Sequence, residues 1–312
     1  MSNPSIFDKF KSIPINNQLK GYLFSFIAVL SMSNVFIFSK AALNEVDLIQ
    51  FGVYWFGFAI LWNLLYALPT KKYKNITRLK RNSYLALIFI GVFELVGTTF
   101  FFIAINKVEN PAIVSFLGNM TPVFVTTLGV LLLKEKFNVL EAFGFVLTIS
   151  GAFIISFNKG SSLSDIFMEG TGYVILASFL FSFAFIVAKK TIKNVDPGIL
   201  AMNRVMYLFV FSLMLLIIKH VPLNISWKGM YNIILGSLLG PFLTALANYS
   251  ALQYIEVSRA SIIGSTKSLF VLIGAYVYFG TFPQTLQLIG GLATVLGVIL
   301  VITGKRLFKK KS

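Results

Sequence analysis

Three ionisable residues lie inside long apolar stretches of the chain, where a charge is costly. Glu94 lies within GVFELVG, Arg204 within AMNRVMY and Lys267 within GSTKSLF. An ionised side chain at the centre of a membrane helix costs about 2.5–3.5 kcal/mol on insertion scales, so such residues usually face a cavity or a partner charge. These three residues are therefore the first candidates for substrate binding or ion coupling.

The three charges suggest different chemistry. Glu94 could carry a proton or pair with a substrate ammonium, or it could form a static ion pair with Lys267 or Arg204. Lys267 could bind the carboxylate of a substrate. Arg204 lies about two turns into its stretch, close enough to one end to extend towards water, so we interpret it as a structural charge.

Polar residues and prolines lie on the same stretches. Proline lacks an N–H and interrupts a helix, which frees backbone carbonyls beside the polar groups. Each polar residue could instead bridge two helices through a hydrogen bond worth about 0.6 kcal/mol. Their clustering on two related stretches favours a cavity. The predicted site comprises Glu94, Lys267, Asn119, Thr121, Ser265, Thr266, Asn34 and Asn248, with Arg204 as a structural charge and Pro122 and Pro241 as kinks that permit gating.

The composition argues against catalysis. The chain has no cysteine and one histidine, which nearly excludes a His/Cys metal site and a Ser-His-Asp triad. A nucleotide-binding loop of the GxxxxGK[ST] kind does not occur in the sequence, so we do not expect ATP to drive the protein directly. We therefore expect no catalytic residues, no metal and no cofactor. A membrane-embedded enzyme and a non-transporting receptor or assembly subunit remain as alternatives.

The elements that position these residues are predicted to be membrane helices. Of the 312 residues, 57% are hydrophobic and 12% are charged, whereas a soluble domain is about 45–50% apolar and about 25% charged. Runs of about 20 apolar residues span a bilayer, and they must be helical to satisfy their own backbone. We predict an all-α integral membrane protein with ten spans, numbered in chain order: 21–42, 48–68, 83–105, 112–133, 139–157, 170–188, 198–218, 230–254, 260–279 and 285–303.

The net charge of +16 predicts the orientation in the cell membrane rather than a nucleic-acid partner. With the N-terminus in the cytoplasm, 20 of the 27 Lys and Arg residues fall in cytoplasmic loops and tails, among them Lys189 and Arg259. Five fall on the other side, among them Lys40, and two lie inside spans. Because cytoplasmic loops are enriched in Lys and Arg, both termini are predicted to be cytoplasmic.

The two halves of the chain resemble each other. Each half carries five spans, an odd number, so the second copy must enter the membrane inverted, which is a transporter architecture. The predicted parts are a cytoplasmic segment 1–20, a first repeat 21–157, a linker 158–169, a second repeat 170–304 and a basic tail 305–312. A shift of 149 places Ser33, Lys40 and Asp47 on Ser182, Lys189 and Asp196, and a shift of 146 places Gly118, Gly144 and Gly151 on Gly264, Gly290 and Gly297.

Over nearly its whole length the sequence resembles the EamA-type members of the drug/metabolite transporter superfamily. The motifs are TPVF at 121–124, KEKF at 134–137, the run from Pro197 to Arg204, and ALQY at 251–254. The second half departs from the pattern, since Ser268 replaces the proline and Thr281 the glutamate of the first half. The resemblance implies a secondary transporter of small metabolites, often an exporter, with a central cavity lined by spans 1, 3, 4, 6, 8 and 9.

The function predicted from these features is transport by alternating access. The substrate is expected to be a small polar metabolite such as an amino acid or a similar carboxylate, moved by export or exchange. The expected partners are this solute, the lipid bilayer and, for a homodimer, a second copy of the chain.

Overall fold

The computed structural model describes residues 16–70, 79–108, 110–133, 138–156, 170–280 and parts of 285–300. Every regular element in these ranges is helical. Large apolar side chains such as Phe89, Leu213 and Ile217 point outwards, as lipid-facing residues do. The helices are α1 (Asn17–Leu43), α2 (Leu48–Thr70), α3 (Arg81–Lys107), α4 (Pro111–Leu117), α5 (Met120–Leu133), α6 (Val139–Ser156), α7 (Thr171–Thr191), α8 (Pro197–Lys219), α9 (Trp227–Ser237), a π-helical segment (Leu238–Thr244), α10 (Ala245–Tyr254), α11 (Val257–Ser265) and α12 (Lys267–Phe279).

Seven helical segments of the described chain are long and apolar enough to cross a membrane. They correspond to predicted spans 1, 2, 3, 6, 7, 8 and 9, which confirms an all-helical membrane protein. Predicted span 4 is divided into α4 and α5, and span 5 corresponds to α6. Span 10 falls largely outside the described residues. The number of ten helices therefore stays a prediction.

The helices pack in pairs that recur between the two halves. Helix α1 packs against α9, the π-helical segment and α10, and α7 packs against α3. Helix α1 also contacts α11 and α12, while α7 contacts α4 and α5. Helices α2 and α8 pack against each other, as do α5 and α11. Through these contacts α1 and α7 lie next to the broken helices of the opposite half.

Two lysines cap the ends of helices instead of lying in loops. Lys40 Nζ donates hydrogen bonds of 3.2 Å to the carbonyls of Ile105 and Asn106, in the last turn of α3. Lys189 Nζ donates in the same way to the carbonyl of Leu252, near the end of α10. The last carbonyls of a helix lack intrahelical donors and carry partial negative charge, so a cation stabilises them. Counting these two lysines as loop charges was therefore wrong.

Pro241 lies in the π-helical segment between α9 and α10. Proline has no N–H to donate to the carbonyl four residues earlier, and its ring would clash with that carbonyl in an α-helix. The wider π turn accommodates the ring, and Thr244 Oγ1 donates to the carbonyl of Leu239, five residues back. Pro241, at which a kink was predicted, thus lies in a locally widened turn of the helix; the kink itself stays a prediction.

Gly236 offers a direct test of the packing between α9 and α2. A Cβ at this position would overlap the indole ring of Trp55, which is fully buried and has no space to move. We expect Gly236→Ala to lower the free energy of unfolding by about 1–3 kcal/mol through overpacking. Thermal unfolding of the detergent-solubilised protein measures the effect. Gly172→Ala is the matched control, because a Cβ there would contact nothing within 4 Å; an equal loss in both variants would contradict the packing.

Candidate functional site

A cavity of about 140 Å³ lies between the two halves. At about 30 Å³ per water molecule it has room for about five waters, a volume comparable to that of a small metabolite. Its walls come from α1, α3, α5, α7, α8, α10, α11 and neighbouring residues. The residues that line the cavity include Met32, Phe36, Glu94, Phe101, Thr121, Phe181, Phe185, Arg204, Thr244, Asn248 and Lys267.

The first broken helix contributes Asn119 and Thr121. Helix α4 ends at Leu117 and α5 begins at Met120, so the break lies at Gly118 and Asn119. Because Pro122 has no N–H to donate to the carbonyl of Gly118, the N–H of Thr121 bonds that carbonyl instead, at 3.1 Å. The break therefore begins upstream of Pro122, which itself lies in the first turn of α5, where proline is tolerated.

The second broken helix contributes Lys267, and the residues at its break do not include a proline. Helix α11 ends at Ser265 and α12 begins at Lys267. The hydroxyl of Thr266 donates to the carbonyl of Ile263 at 2.7 Å, a local bond that competes with the helical ladder. Ser33 of α1 donates to the carbonyl of Lys267 at 3.2 Å and holds the break against α1.

The two breaks meet through a polar cluster of Ser115, Asn119, Lys267 and Ser268. Asn119 Nδ2 donates to Ser268 Oγ at 3.0 Å, and Ser268 Oγ donates to the Ser115 carbonyl at 3.1 Å. Lys267 Nζ donates to Asn119 Oδ1 at 3.3 Å. Within the described part of the chain, no carboxylate forms an ion pair with Lys267. Lys267 is half-buried and lines the cavity, so none of the described carboxylates compensates its ammonium there.

A second polar cluster contributes Glu94 of α3 and Arg204 of α8 to the cavity wall. Arg204 Nε lies 2.9 Å from Glu94 Oε2, and Arg204 also donates to Thr98 Oγ1 at 3.1 Å. Tyr249 donates its hydroxyl proton to Glu94 Oε1 at 3.2 Å. Of the alternatives left open for Glu94, the structure therefore contains the ion pair with Arg204. Thr98 follows Glu94 by one helical turn, and this spacing could have identified Thr98 as a member of the cluster. Nothing in a single sequence indicated that Tyr249 would contact Glu94.

Other predicted site residues lie apart from the cavity wall. Asn34 is exposed on α1, and its amide donates to the carbonyl of Leu30 in the same helix at 2.9 Å. Ser265 is fully buried at the break, and the hydroxyl of Thr266 is held by the backbone. Asn248 does line the cavity, one turn after Thr244 at the end of the π-helical segment.

A buried ion pair outside the cavity was missed by the sequence analysis. Arg259, at the start of α11, was counted as a loop cation, but it is only 6% exposed. Its guanidinium pairs with Glu141 of α6 and lies 2.7 Å from Glu256 Oε2. Glu141 is itself 3% exposed, so the pair lies inside the protein between α6 and α11.

The groups on the described wall of the cavity are suited to recognising a solute. The wall offers one ammonium, one carboxylate already paired with a guanidinium, and neutral hydroxyl and amide groups. A group of three or more His, Asp or Glu side chains that could hold a metal ion does not occur among the described residues. The arrangement suits a small solute with an acidic group.

Comparison with known families gives a clear match. A sequence model of the EamA-like transporter family matches residues 19–157 and 168–303, which together make up most of the chain. The two matched ranges correspond to the two halves of the molecule that meet at the cavity.

Two curated protein sequences and one solved structure are similar to the chain. The uncharacterized transporter sll1164 of Synechocystis sp. is 26% identical over 64% of this chain and 59% of its own length, less than two thirds. The uncharacterized transporter YdfC of Bacillus subtilis is 25% identical over 67% of this chain and 69% of its own. A crystal structure superimposes with a TM-score of 0.74 over 92% of this chain and 98% of its own, at 13% identity, and shows a shared fold alone.

Proposed function

The chain belongs to the EamA-like transporter family and is a multi-pass membrane transporter, and on this premise we propose that it moves a small carboxylate-bearing metabolite by alternating access. Amino acids and similar organic acids are the candidate solutes, and export or exchange is the proposed mode. The observation that supports this most strongly is the half-buried ammonium of Lys267, which lines the cavity beside Asn119. A buried cation left without a protein carboxylate favours an anionic ligand.

Alternating access is supported by the repetition of contacts between the halves. Lys40 and Lys189, 149 positions apart, each cap the final carbonyls of another helix. The breaks at Gly118 and Thr266 also lie at related positions, and the two broken helices contact each other. Two inverted repeats around a midplane site can exchange conformations, which opens the site to either side in turn. We propose ten helices in two inverted repeats, 21–157 and 170–304, on this basis.

The predicted site residues receive different roles in this proposal. Lys267 and Asn119 bind the carboxylate, while Thr121 and Asn248 offer neutral polar contacts from the cavity wall. The ion pair of Glu94 with Arg204 would be the group through which protons couple to transport. Ser265, Thr266 and Asn34 are assigned to helix geometry rather than to the solute, and Pro122 and Pro241 to the hinges that movement requires.

Labelling of single cysteines tests alternating access, and the chain has no native cysteine to interfere. Ser261 lines the cavity, so Ser261→Cys in sealed vesicles should react with a membrane-impermeant maleimide applied from either side. Bound solute should slow both reactions. Labelling from one side only, under all conditions, would contradict alternating access.

Two surface positions serve as controls for sidedness in the same experiment. Trp227 is 81% exposed at the start of α9, and Asn194 is exposed between α7 and α8. With cytoplasmic termini, Trp227→Cys should react only from outside and Asn194→Cys only from the cytoplasmic side. The reverse pattern would overturn the proposed orientation without affecting the fold.

A further inference from the structure

The charges at the cavity differ from those that a zwitterion requires. Among the described residues that line the cavity, Glu94 is the one carboxylate. Arg204 neutralises it at 2.9 Å, and Tyr249 donates a hydrogen bond to its other oxygen. A substrate ammonium would have to displace the guanidinium before it could pair with Glu94. Lys267, by contrast, is ready to receive a carboxylate.

The backbone carbonyls at the two breaks are also engaged. The carbonyl of Gly118 accepts from the Thr121 N–H, and that of Ser115 accepts from Ser268 Oγ. At the second break the carbonyl of Ile263 accepts from both the N–H and the hydroxyl of Thr266. The Lys267 carbonyl accepts from Ser33. These four carbonyls therefore each have a protein donor already.

The rest of the wall is mostly apolar, and its polar side chains are neutral: Thr121, Ser178, Thr244, Asn248 and Ser261. Phe36, Phe101, Phe181 and Phe185 line the cavity together with Met32. Such a surface favours a ligand that brings its own apolar or aromatic body, because burying that body releases water from both surfaces. A small, fully polar solute would leave these rings without a partner.

Building on the proposed function, we infer that the solute is an organic monoanion with an apolar body, and that the cavity discriminates against the zwitterion with the same body. The carboxylate binds at Lys267 and Asn119, and the body lies among the phenylalanines. An added ammonium would lose its water and gain only neutral hydroxyl or amide acceptors, because the described carboxylate of the wall is already paired with Arg204. Such acceptors compensate a buried charge less well than a carboxylate does.

A set of three matched compounds tests the inference. Phenylalanine carries both charges, 3-phenylpropanoate lacks the ammonium, and 2-phenylethylamine lacks the carboxylate. Wild-type protein in proteoliposomes loaded with 3-phenylpropanoate should take up labelled 3-phenylpropanoate by counterflow. Unlabelled 3-phenylpropanoate should compete at a concentration at least about tenfold lower than phenylalanine, and 2-phenylethylamine should not compete. Thermal stabilisation of the detergent-solubilised protein should rank the compounds in the same order.

The variant Arg204→Gln gives a second readout. Without its guanidinium partner, the Glu94 carboxylate can accept a substrate ammonium, so the preference for 3-phenylpropanoate over phenylalanine should shrink. If this variant does not fold, the order in which the three compounds compete with the wild-type protein still tests the inference.

The outcomes separate the inference from the proposed function. Phenylalanine that competes as well as 3-phenylpropanoate would overturn the inference and leave the transport of carboxylates standing. Competition by 2-phenylethylamine would overturn it as well. If neither carboxylate exchanges nor stabilises the protein, while another solute class exchanges, the proposed function itself fails.

Discussion

Replacing Lys267 by methionine is expected to weaken transport of an organic acid strongly while leaving the protein folded. The ammonium is the one cation of the described cavity wall that has no protein carboxylate as its partner. A hydrogen bond to a charged group contributes about 1.5–3 kcal/mol, so affinity for the carboxylate should fall by roughly 10-fold to 100-fold. Counterflow in proteoliposomes measures the loss. Methionine keeps the length and apolar stem of the lysine, so the wall changes little in shape.

The stability of the same variant separates a binding role from a structural one. Removing a half-buried charge relieves its desolvation, so Tm should stay the same or rise. Lys219→Met is the control, because Lys219 is exposed at the end of α8 and lies away from the cavity. Full transport by Lys267→Met, or a loss equal to that of Lys219→Met, would contradict the proposed site.

Replacing Arg259 by leucine is expected to destabilise the protein strongly. The substitution leaves the Glu141 carboxylate buried between α6 and α11 without its guanidinium. Breaking one partner of a buried ion pair typically costs about 3–5 kcal/mol, because the remaining charge is desolvated and unpaired. The loss should appear as a large fall in Tm and a low yield of monodisperse protein from detergent extracts.

Two further variants show whether the cause is the unpaired charge. In Glu141→Leu/Arg259→Leu no charge is left buried, so much of the stability should return. Lys228→Met breaks the exposed pair of Lys228 with Glu45, whose charged atoms lie 2.8 Å apart, and should barely change Tm because water screens such pairs. If Arg259→Leu behaves like Lys228→Met, the buried pair contributes no stability.

The sequence alone predicted a membrane protein and singled out three charged residues inside its apolar runs. A charge inside an apolar run stands out because the bilayer excludes it, and this identified Glu94, Arg204 and Lys267. The shift of 146 places Lys267 on Thr121, and the structure brings Lys267 into contact with Asn119, two residues from Thr121. The prediction of a polar region where spans 4 and 9 meet followed from this relation.

What the sequence could not reveal was the partner of each charge. Arg204 pairs with Glu94 across 110 positions of the chain, and Arg259 pairs with Glu141 across 118. Such pairs depend on which helix faces align, and the apolar pattern of a membrane helix does not specify a face, since lipid and protein interior are both apolar. For the same reason Lys40 and Arg259 were interpreted as loop charges although both are buried.

The most direct test of the central claim, that Lys267 binds the carboxylate of the solute, is an experimental structure with 3-(4-bromophenyl)propanoate. The bromine can be located by its anomalous scattering. The predicted result is a carboxylate oxygen about 2.7–2.9 Å from Lys267 Nζ, with the bromine inside the cavity and in contact with its phenylalanine rings. A carboxylate bound to Arg204 instead, or an acid bound outside the cavity, would contradict it.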